Sequence, residues 1–288
     1  MTMLDPDPSS AIPLGLQPRH RRLTVSLSGM PAWVGGVIGV AIILVIWWIA
    51  SQTLYTDSHA IPTPSAVFAH FFNSDDWTAL IHNFTPTIQA AFYGFLIGDF
   101  AAIVMAVAVL LIPPIEELVN QLAIVTYCLP PVAIGPIVVI IGGQAHPQAA
   151  PIVLASLAPF FTTVVGCLIG LRAAPQASLD LVTAYGGSRM AQLRKVQVIA
   201  ALPNVFAALK IAAPAAFLGA ILAEFLGGGG DNSVGQALIA AQTRGDAARL
   251  WWLALCCGAV AGIGYLIVGL LARVVTPWTT AENVGGAK

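Results

Sequence analysis

Residues 118–171 read LVNQLAIVTYCLPPVAIGPIVVIIGGQAHPQAAPIVLASLAPFFTTVVGCLIGL, without a single Asp, Glu, Lys or Arg. One helix of this length would measure roughly 80 Å, whereas the hydrocarbon core of a bilayer is about 30 Å thick. The segment must therefore cross a membrane twice and turn back once. The polar, helix-breaking residues 142–147 (GGQAHP) predict the turn. They separate two predicted spans, at about residues 118–141 and 149–171.

The composition of the whole chain agrees with a membrane protein. Of its 288 residues, 58% are hydrophobic and 9% are charged, whereas soluble domains carry about 25% charged residues. An ordinary soluble enzyme is therefore excluded. The net charge of −1 and the lack of a dense Lys/Arg run exclude a nucleic-acid-binding surface. The four cysteines form no CxxC pair, and we interpret them as packing residues rather than as a disulfide or a metal site.

Four further apolar segments are long enough to cross a bilayer, at about residues 33–50, 85–112, 205–226 and 249–273. Asp99 interrupts the second of these segments, and Pro113-Pro114 end it. Six spans in total place both termini on one side of the membrane. The predicted organisation is a disordered tail over 1–30, the first span and an outward loop over 31–84, a core over 85–277 that contains a long loop at 172–204, and a second tail over 278–288.

Positive charges indicate the orientation, because short loops rich in Lys and Arg remain in the cytoplasm. Arg244 and Arg249 lie on the side opposite the termini. The side of the termini carries the other ten of the twelve Lys and Arg residues: Arg19, Arg21, Arg22, Arg172, Arg189, Arg194, Lys195, Lys210, Arg273 and Lys288. We therefore predict a multi-pass membrane protein with both termini and the long loop in the cytoplasm.

The long loop contains residues 177–203, ASLDLVTAYGGSRMAQLRKVQVIAALP. Apolar residues recur at helical spacing before and after Gly186-Gly187, which predicts a helix–turn–helix at the membrane surface. Such an element is either a connector between spans or a docking element for a partner protein. The periodicity alone does not separate these two interpretations.

This loop resembles the cytoplasmic loop of permease subunits of ATP-binding-cassette (ABC) importers, whose motif is E-A-A-x3-G-x9-I-x-L-P. Asp180 stands at the Glu, Gly186 at the Gly and Val196 at the Ile. Outside the loop, residues 61–67 (IPTPSAV) and 223–227 (AEFLG) are similar to the nitrate, sulfonate and taurine branch. The resemblance covers roughly residues 60–275. It implies an all-α membrane protein with six transmembrane helices in the type I ABC importer permease (MetI-like) fold, in a bacterial inner membrane.

The resemblance implies that transport is shared among several chains. This chain would be the non-catalytic permease subunit that moves a small solute, such as nitrate, a sulfonate, taurine or a related organic compound, into the cytoplasm. Its expected partners are a second permease in a homo- or heterodimer, two ATPase subunits and an external substrate-binding protein. ATP and Mg would be used by the ATPase, since this chain has no G-x-x-x-x-G-K-[ST] motif. No cofactor or metal is expected in the chain itself.

The resemblance also assigns the ATPase-coupling residues: Asp180, Leu181, Val182, Tyr185, Gly186, Gly187, Ser188, Arg189 and Met190. The sequence departs from the family motif, because Leu181-Val182 replace the Ala-Ala pair and Asp180 is shorter than Glu. These departures favour a heterodimer in which this chain carries the weaker coupling loop. Gly186 either allows a tight bend against the ATPase or is an ordinary helix C-cap.

Polar residues inside the predicted spans are candidates for a translocation pathway: Asp99, Thr126, Tyr127, Thr162, Thr163 and Glu224. Ionisable groups within spans are costly and mark functional candidates. For Asp99, packing and a place in the pathway remain equally open, and the family match favours a structural or gating role for Glu224. The hydroxyl groups either contact the solute or hold helices together. An alternative function is an ion-coupled secondary transporter in which Asp99 carries the proton.

Overall fold

The computed structural model describes residues 32–53, 60–143 and 145–278, and within these ranges the chain is helical, with no strand. Its helices are α1 (Ala32–Thr53), α2 (Pro64–Ala69), α3 (Ser74–Leu111), α4 (Glu116–Cys128), α5 (Pro131–Gly142), α6 (Ala149–Arg172), α7 (Gln176–Ala184), α8 (Arg189–Gln192), α9 (Val198–Phe225), α10 (Val234–Thr243) and α11 (Ala247–Val275). A π-helical turn, Leu193–Gln197, joins α8 to α9. The all-α prediction is confirmed. The tail predicted over 1–30 and most of that over 278–288 lie outside the described residues.

Five helical segments are long and apolar enough to cross a membrane: α1, α3, α6, Arg189–Phe225 and α11. The pair α4–α5 provides a sixth if it is counted as one span. The chain divides into two compact units after Ile46. Of the first unit, the structure describes the part of α1 that begins at residue 32, and all the helices after α1 belong to the second unit.

The third predicted span is not a continuous helix. α4 and α5 meet at an angle of 91°, and the prediction of an unbroken span over residues 118–141 is wrong in this respect. The break has a local cause, because prolines lack an amide hydrogen and drive the preceding residue out of the helical conformation. Leu129 and Pro130 each precede a proline, and each has an extended backbone with a ψ of 119°.

Two spans begin earlier than predicted. α3 begins at Ser74 rather than near residue 85, because Asn73 caps the helix by accepting a hydrogen bond from the Asp75 amide at 3.0 Å. The fifth span begins near Arg189 rather than near residue 205 and is helical, through the π turn, to Phe225. At 1.5 Å per residue it is about 55 Å long, so it extends well beyond the hydrocarbon core.

Glycines allow α6 to pack closely against α3 and α9. A Cβ added to Gly98 on α3 would collide with the backbone of Ser156 on α6. A Cβ added to Gly219 on α9 would lie 2.6 Å from the carbonyl oxygen of Leu154. Lipid is as apolar as the side chains, so close van der Waals contact of this kind holds helices together in a membrane.

Two large clusters of buried side chains form the core of the second unit. One cluster includes Phe84, Phe217 and Val234, and we call its position the α10 end of the bundle. The other includes Val109, Leu171 and Leu193, and we call its position the loop end. α9 contributes to both clusters and therefore connects the two ends.

Candidate functional site

The predicted coupling segment, residues 176–192, folds as two short helices around a tight turn. α7 ends in a Schellman motif, in which the Gly186 N–H donates to the Thr183 carbonyl and the Gly187 N–H donates to the Val182 carbonyl, both at 2.8 Å. Gly186 has a φ of 75°, a left-handed conformation that costs a residue with a Cβ about 1–2 kcal/mol. Gly186 thus caps α7, and its positive φ favours glycine at this position over any residue with a Cβ.

Gln192 fastens α8 to α7. Its Nε2 donates to the Leu179 carbonyl at 3.1 Å and to the Thr183 hydroxyl at 2.8 Å. Ser188 caps α8 by accepting a hydrogen bond from the Ala191 N–H at 3.4 Å. The two helices therefore form one preformed unit, which we call the coupling segment from here on.

The coupling segment exposes large apolar side chains. Leu181 is 58% exposed, Tyr185 86% and Met190 41%. Asp180 and Arg189 are exposed on the same segment. Exposed apolar groups with charged neighbours are typical of a contact with another protein or with a membrane surface.

Leu193 anchors the coupling segment to the bundle. It is the first residue of the π turn and is 4% exposed, packed in the loop-end cluster with residues of α3, α4 and α6. The next two residues, Arg194 and Lys195, are exposed. Single π turns within α-helices are frequent at functional sites. Leu193 therefore joins the coupling segment to the cluster formed with α3, α4 and α6.

Asp99 lies buried between α3 and α6. The Thr163 hydroxyl donates to its Oδ1 at 2.5 Å, and Asp99 and Thr163 are 3% and 0% exposed. The other oxygen, Oδ2, has no hydrogen-bond partner among the described residues. Thr162, the neighbour of Thr163 on α6, is half-buried. Asp99 thus joins two spans through one hydrogen bond inside the bundle.

Glu224 lies at the opposite end of the bundle, near the end of α9, and is 0% exposed. Its Oε2 accepts two hydrogen bonds of 3.0 Å, from the Thr87 hydroxyl on α3 and from the Gly235 N–H at the start of α10. The carboxyl group therefore contacts two other helices. Thr87 and Asp99 stand about 18 Å apart along α3, so the two buried acids form separate sites.

Thr126 and Tyr127 lie beside the break between α4 and α5. The Thr126 hydroxyl donates to the Leu122 carbonyl of its own helix at 2.8 Å. Tyr127 is 70% exposed, and its ring centroid lies 4.9 Å from that of Phe161. Thr126 and Tyr127 border a cavity of about 200 Å³, which is completed by Leu129, Pro131, Ile134, Leu154, Leu157 and Ala158.

If α4 and α5 cross the membrane as one span, the break between them lies near its middle, where lipid offers the backbone no hydrogen-bond partner. Residues 127–133 are all exposed in the described chain. Non-helical backbone occurs within membranes where protein or a water-filled cavity covers it, not where it faces lipid. This side of α4–α5 therefore requires a protein or aqueous neighbour, and we call it the break face.

Three residues with a part in these sites were missed by sequence reasoning. Ser233 was detectable, because Ser233 and Gln236 form an S-x-x-Q capping sequence, and the Gln236 N–H donates to Ser233 Oγ at 3.4 Å. Thr87 was detectable only as a hydroxyl inside an apolar span. Gln192 had no local signal, because its partners on α7 come from a separate helix.

His70, His82 and His146 are the histidines that the structure describes, and they do not form a ligand set. His70 pairs with Asp76 through Nδ1 and Oδ2 at 2.8 Å. Within the described ranges, no group of three or more His, Cys, Asp or Glu is placed to hold a metal ion.

Comparison with known proteins gives one matching family model and several curated relatives. The model, "Binding-protein-dependent transport system inner membrane component", matches residues 94–281. A probable ABC transporter permease protein of Haemophilus influenzae is 30% identical over 205 residues, which is 71% of this chain and 81% of the relative. The riboflavin transport system permease RibX of Chloroflexus aurantiacus is 22% identical, with 82% and 87% covered. The putative aliphatic sulfonates transport permease SsuC of Bacillus subtilis is 21% identical, with 85% and 88% covered.

Proposed function

Because this chain belongs to the family of binding-protein-dependent transport system inner membrane components, we propose that it is the permease subunit of an ATP-driven importer of a small organic solute. Permeases of this family are not catalytic, and ATP is hydrolysed by a separate subunit. In the proposed complex, two ATPase subunits bind ATP and Mg, a second permease completes the membrane part, and an external binding protein delivers the solute.

The exposed coupling segment is the observation that carries this proposal. Leu181, Tyr185 and Met190 project from a unit whose own hydrogen bonds fix its shape. A preformed element of this kind fits a cleft on a partner protein without an ordering cost on binding. When the two ATPase subunits close on ATP, the coupling segment moves with them, and the continuous helix from Arg189 to Phe225 carries that movement across the membrane.

The break face supports a pathway between two permeases. The break face needs a protein or an aqueous neighbour. A second permease, either a copy of this chain or a homologue, would cover the face and enclose a water-filled space between the two chains. Thr126 and Tyr127 then border the path, and the described residues around their cavity carry no charge. Asp99 and Glu224 are 3% and 0% exposed, and neither borders that cavity in the described conformation.

The orientation follows from the charge bias of the loops. Both termini and the coupling segment face the cytoplasm, where the ATPase subunits are, and α10 faces outward, where the binding protein docks. The relatives are named for riboflavin and for aliphatic sulfonates. We accordingly propose a solute of this broad class of small organic compounds.

The test is reconstitution of the complex, expressed with its neighbouring genes, into liposomes. Native mass spectrometry should find two ATPase chains and two permease chains, and uptake should require ATP. Replacing Gly186 by Val should lower uptake and ATPase stimulation, because φ is positive there. The matched control is Gly258→Val, since nothing lies within 4 Å of an added Cβ at Gly258. Uptake driven by a proton gradient without ATP, or full uptake by Gly186→Val, would contradict the proposal.

A further inference from the structure

The start of α10 is buried, so its first amide groups require partners from the protein. Ser233 and Val234 are both 0% exposed. The first amides of a helix have no partner within the helix and usually bind water or a capping side chain. Here the Val234 N–H donates to Thr87 Oγ1 at 3.2 Å, and the Gly235 N–H donates to Glu224 Oε2 at 3.0 Å. Both acceptors belong to spans, one on α3 and one on α9.

The start of α10 also donates a side-chain hydrogen bond to the backbone at the end of α9. Gln236 Nε2 donates to the backbone carbonyl of Glu224 at 3.1 Å, and this carbonyl also accepts a hydrogen bond from the Gly227 N–H at 3.1 Å. The contact is tight, because a Cβ on Gly235 would lie 2.6 Å from the Phe225 amide nitrogen. α10 cannot slide along α9 without breaking these contacts.

Thr87 makes the contact three-sided. Its hydroxyl accepts the hydrogen bond from Val234 and has one proton, for which Glu224 Oε2 lies at 3.0 Å and the Asn83 carbonyl at 3.2 Å. A carboxyl oxygen at a helix N-terminus is also favoured by the helix dipole. We call Thr87, Glu224, Val234 and Gly235 the junction.

We propose that Glu224 is a positioning residue for transport, which through the junction makes α3, α9 and α10 move as one body. The inference rests on the proposed function and deepens it. α10 lies at one end of α9 and the coupling segment at the other end of the same continuous helix. When the binding protein docks on the outward side, the junction therefore transmits the resulting movement of α10 through α9 to the ATPase on the cytoplasmic side.

The junction is separable from the packing of α10. Val234 and Ala241 are buried in the apolar cluster at the α10 end together with Trp252, so α10 also has apolar contacts that do not depend on the hydrogen bonds to Thr87 and Glu224. Loss of the junction should consequently loosen the first turn of α10 while the bundle stays folded. This separation allows coupling to be tested apart from stability.

The test uses four variants of the complete complex in lipid nanodiscs. Glu224→Met and Thr87→Val remove acceptors at nearly constant volume. Thr87→Ser restores the hydroxyl and should restore native behaviour. Thr85→Val is the matched control, because the Thr85 hydroxyl bonds only the Ile81 carbonyl of its own helix, at 2.7 Å.

Two quantities are measured: hydrogen exchange of the amides of residues 234–236, and the ratio of ATPase rates with and without the binding protein. In Glu224→Met and Thr87→Val we expect exchange to accelerate about tenfold, since a buried hydrogen bond is lost. We expect the ATPase ratio to fall by about fivefold or more, the lower end of typical coupling between sites. Thr87→Ser and Thr85→Val should match the native complex.

The inference is overturned if exchange does not change, if exchange accelerates while the ATPase ratio stays native, or if Thr85→Val behaves like Thr87→Val. The second of these results would reduce the junction to a structural contact. A native complex whose ATPase ignores the binding protein would instead overturn the proposed function, and the inference with it.

Discussion

Replacing Gly219 by Ala should separate α6 from α9 near the α10 end of the bundle. The added Cβ would lie 2.6 Å from the Leu154 carbonyl oxygen, 3.0 Å from the Leu154 carbonyl carbon and 3.1 Å from the Ala155 Cα. These are backbone atoms of a helix, so no side-chain rotation relieves the contact. An ordinary contact needs about 3.5–4.0 Å between carbon atoms, and the two helices must therefore move apart by about half an ångström or more.

The magnitude follows from two opposing effects. Overpacking a close interface costs about 1–3 kcal/mol, and backbone neighbours place Gly219 in the upper half of that range. Alanine also favours the helix over glycine by about 1 kcal/mol. The net loss in the free energy of unfolding is then about 1–2 kcal/mol, which changes the ratio of folded to unfolded protein by about 5- to 30-fold.

The measurement is reversible unfolding of the purified chain in mixed micelles of a mild detergent and sodium dodecyl sulfate, followed by tryptophan fluorescence. Gly258→Ala on α11 is the matched control, because an added Cβ at Gly258 meets nothing within 4 Å. This control should be as stable as the native protein or up to about 1 kcal/mol more stable. If Gly219→Ala unfolds at the same detergent composition as Gly258→Ala, the close approach of α6 and α9 does not support the fold as argued.

Three further predictions concern the break face, the loop end and the coupling segment. Cys128 is exposed beside the break, whereas Cys167 and Cys256 are buried. A water-soluble maleimide should therefore label this chain in the assembled complex mainly at Cys128, and Cys128→Ser should remove most of the label. Labelling by lipid-soluble reagents alone would contradict an aqueous break face. Arg172 pairs with Glu116 at 2.6 Å, and their side chains are 52% and 37% exposed. Arg172→Gln should therefore change the free energy of unfolding by about 1 kcal/mol or less, and a much larger loss would show that the pair is shielded from solvent. Gln192→Leu removes two hydrogen bonds to α7, each of which contributes about 0.5–1.5 kcal/mol to stability. Hydrogen exchange of the α7 amides should therefore accelerate, and stimulation of the ATPase should fall. Exchange at the native rate would show that Gln192 does not hold α8 against α7.

The sequence predicted the spans because hydrophobicity is a local property that needs no knowledge of neighbours. It did not predict the helix limits, because the edge of the membrane and the end of a helix are set by different forces. Arg194 and Lys195 marked the water-exposed part of the fifth span, yet the helix continues through them. The break at Leu129 corresponds to the sequence Leu-Pro-Pro. The two prolines restrict the backbone and interrupt the helix, although the apolar segment is long enough for one continuous span.

The polar sites illustrate a different limit. Glu224 and Asp99 were identified as candidates because each is an acid in an apolar context. Their hydrogen-bond partners could not be predicted from the sequence, because Thr87 is 137 residues from Glu224 and Thr163 is 64 residues from Asp99. Pairing of this kind depends on the arrangement of α3, α6 and α9. The spacings Gly94-x-x-x-Gly98 and Gly166-x-x-x-Gly170 favour close packing of helices, but they do not specify which helices meet.

The distribution of contacts along α9 explains how one helix serves both as a packed span and as a moving part. Near the middle of the continuous helix Arg189–Phe225, Ala208 lies against Gly166 of α6, where a Cβ added to the glycine would lie 2.5 Å from the Ala208 Cβ, and van der Waals contact of this kind has no preferred direction. At the α10 end, hydrogen bonds from Thr87 and Gly235 to Glu224 define a direction and a distance. At the loop end, Leu193 fixes the π turn in an apolar cluster. Hydrogen bonds of fixed direction therefore hold the α10 end of this helix, whereas apolar packing without a preferred direction holds its middle and its loop end.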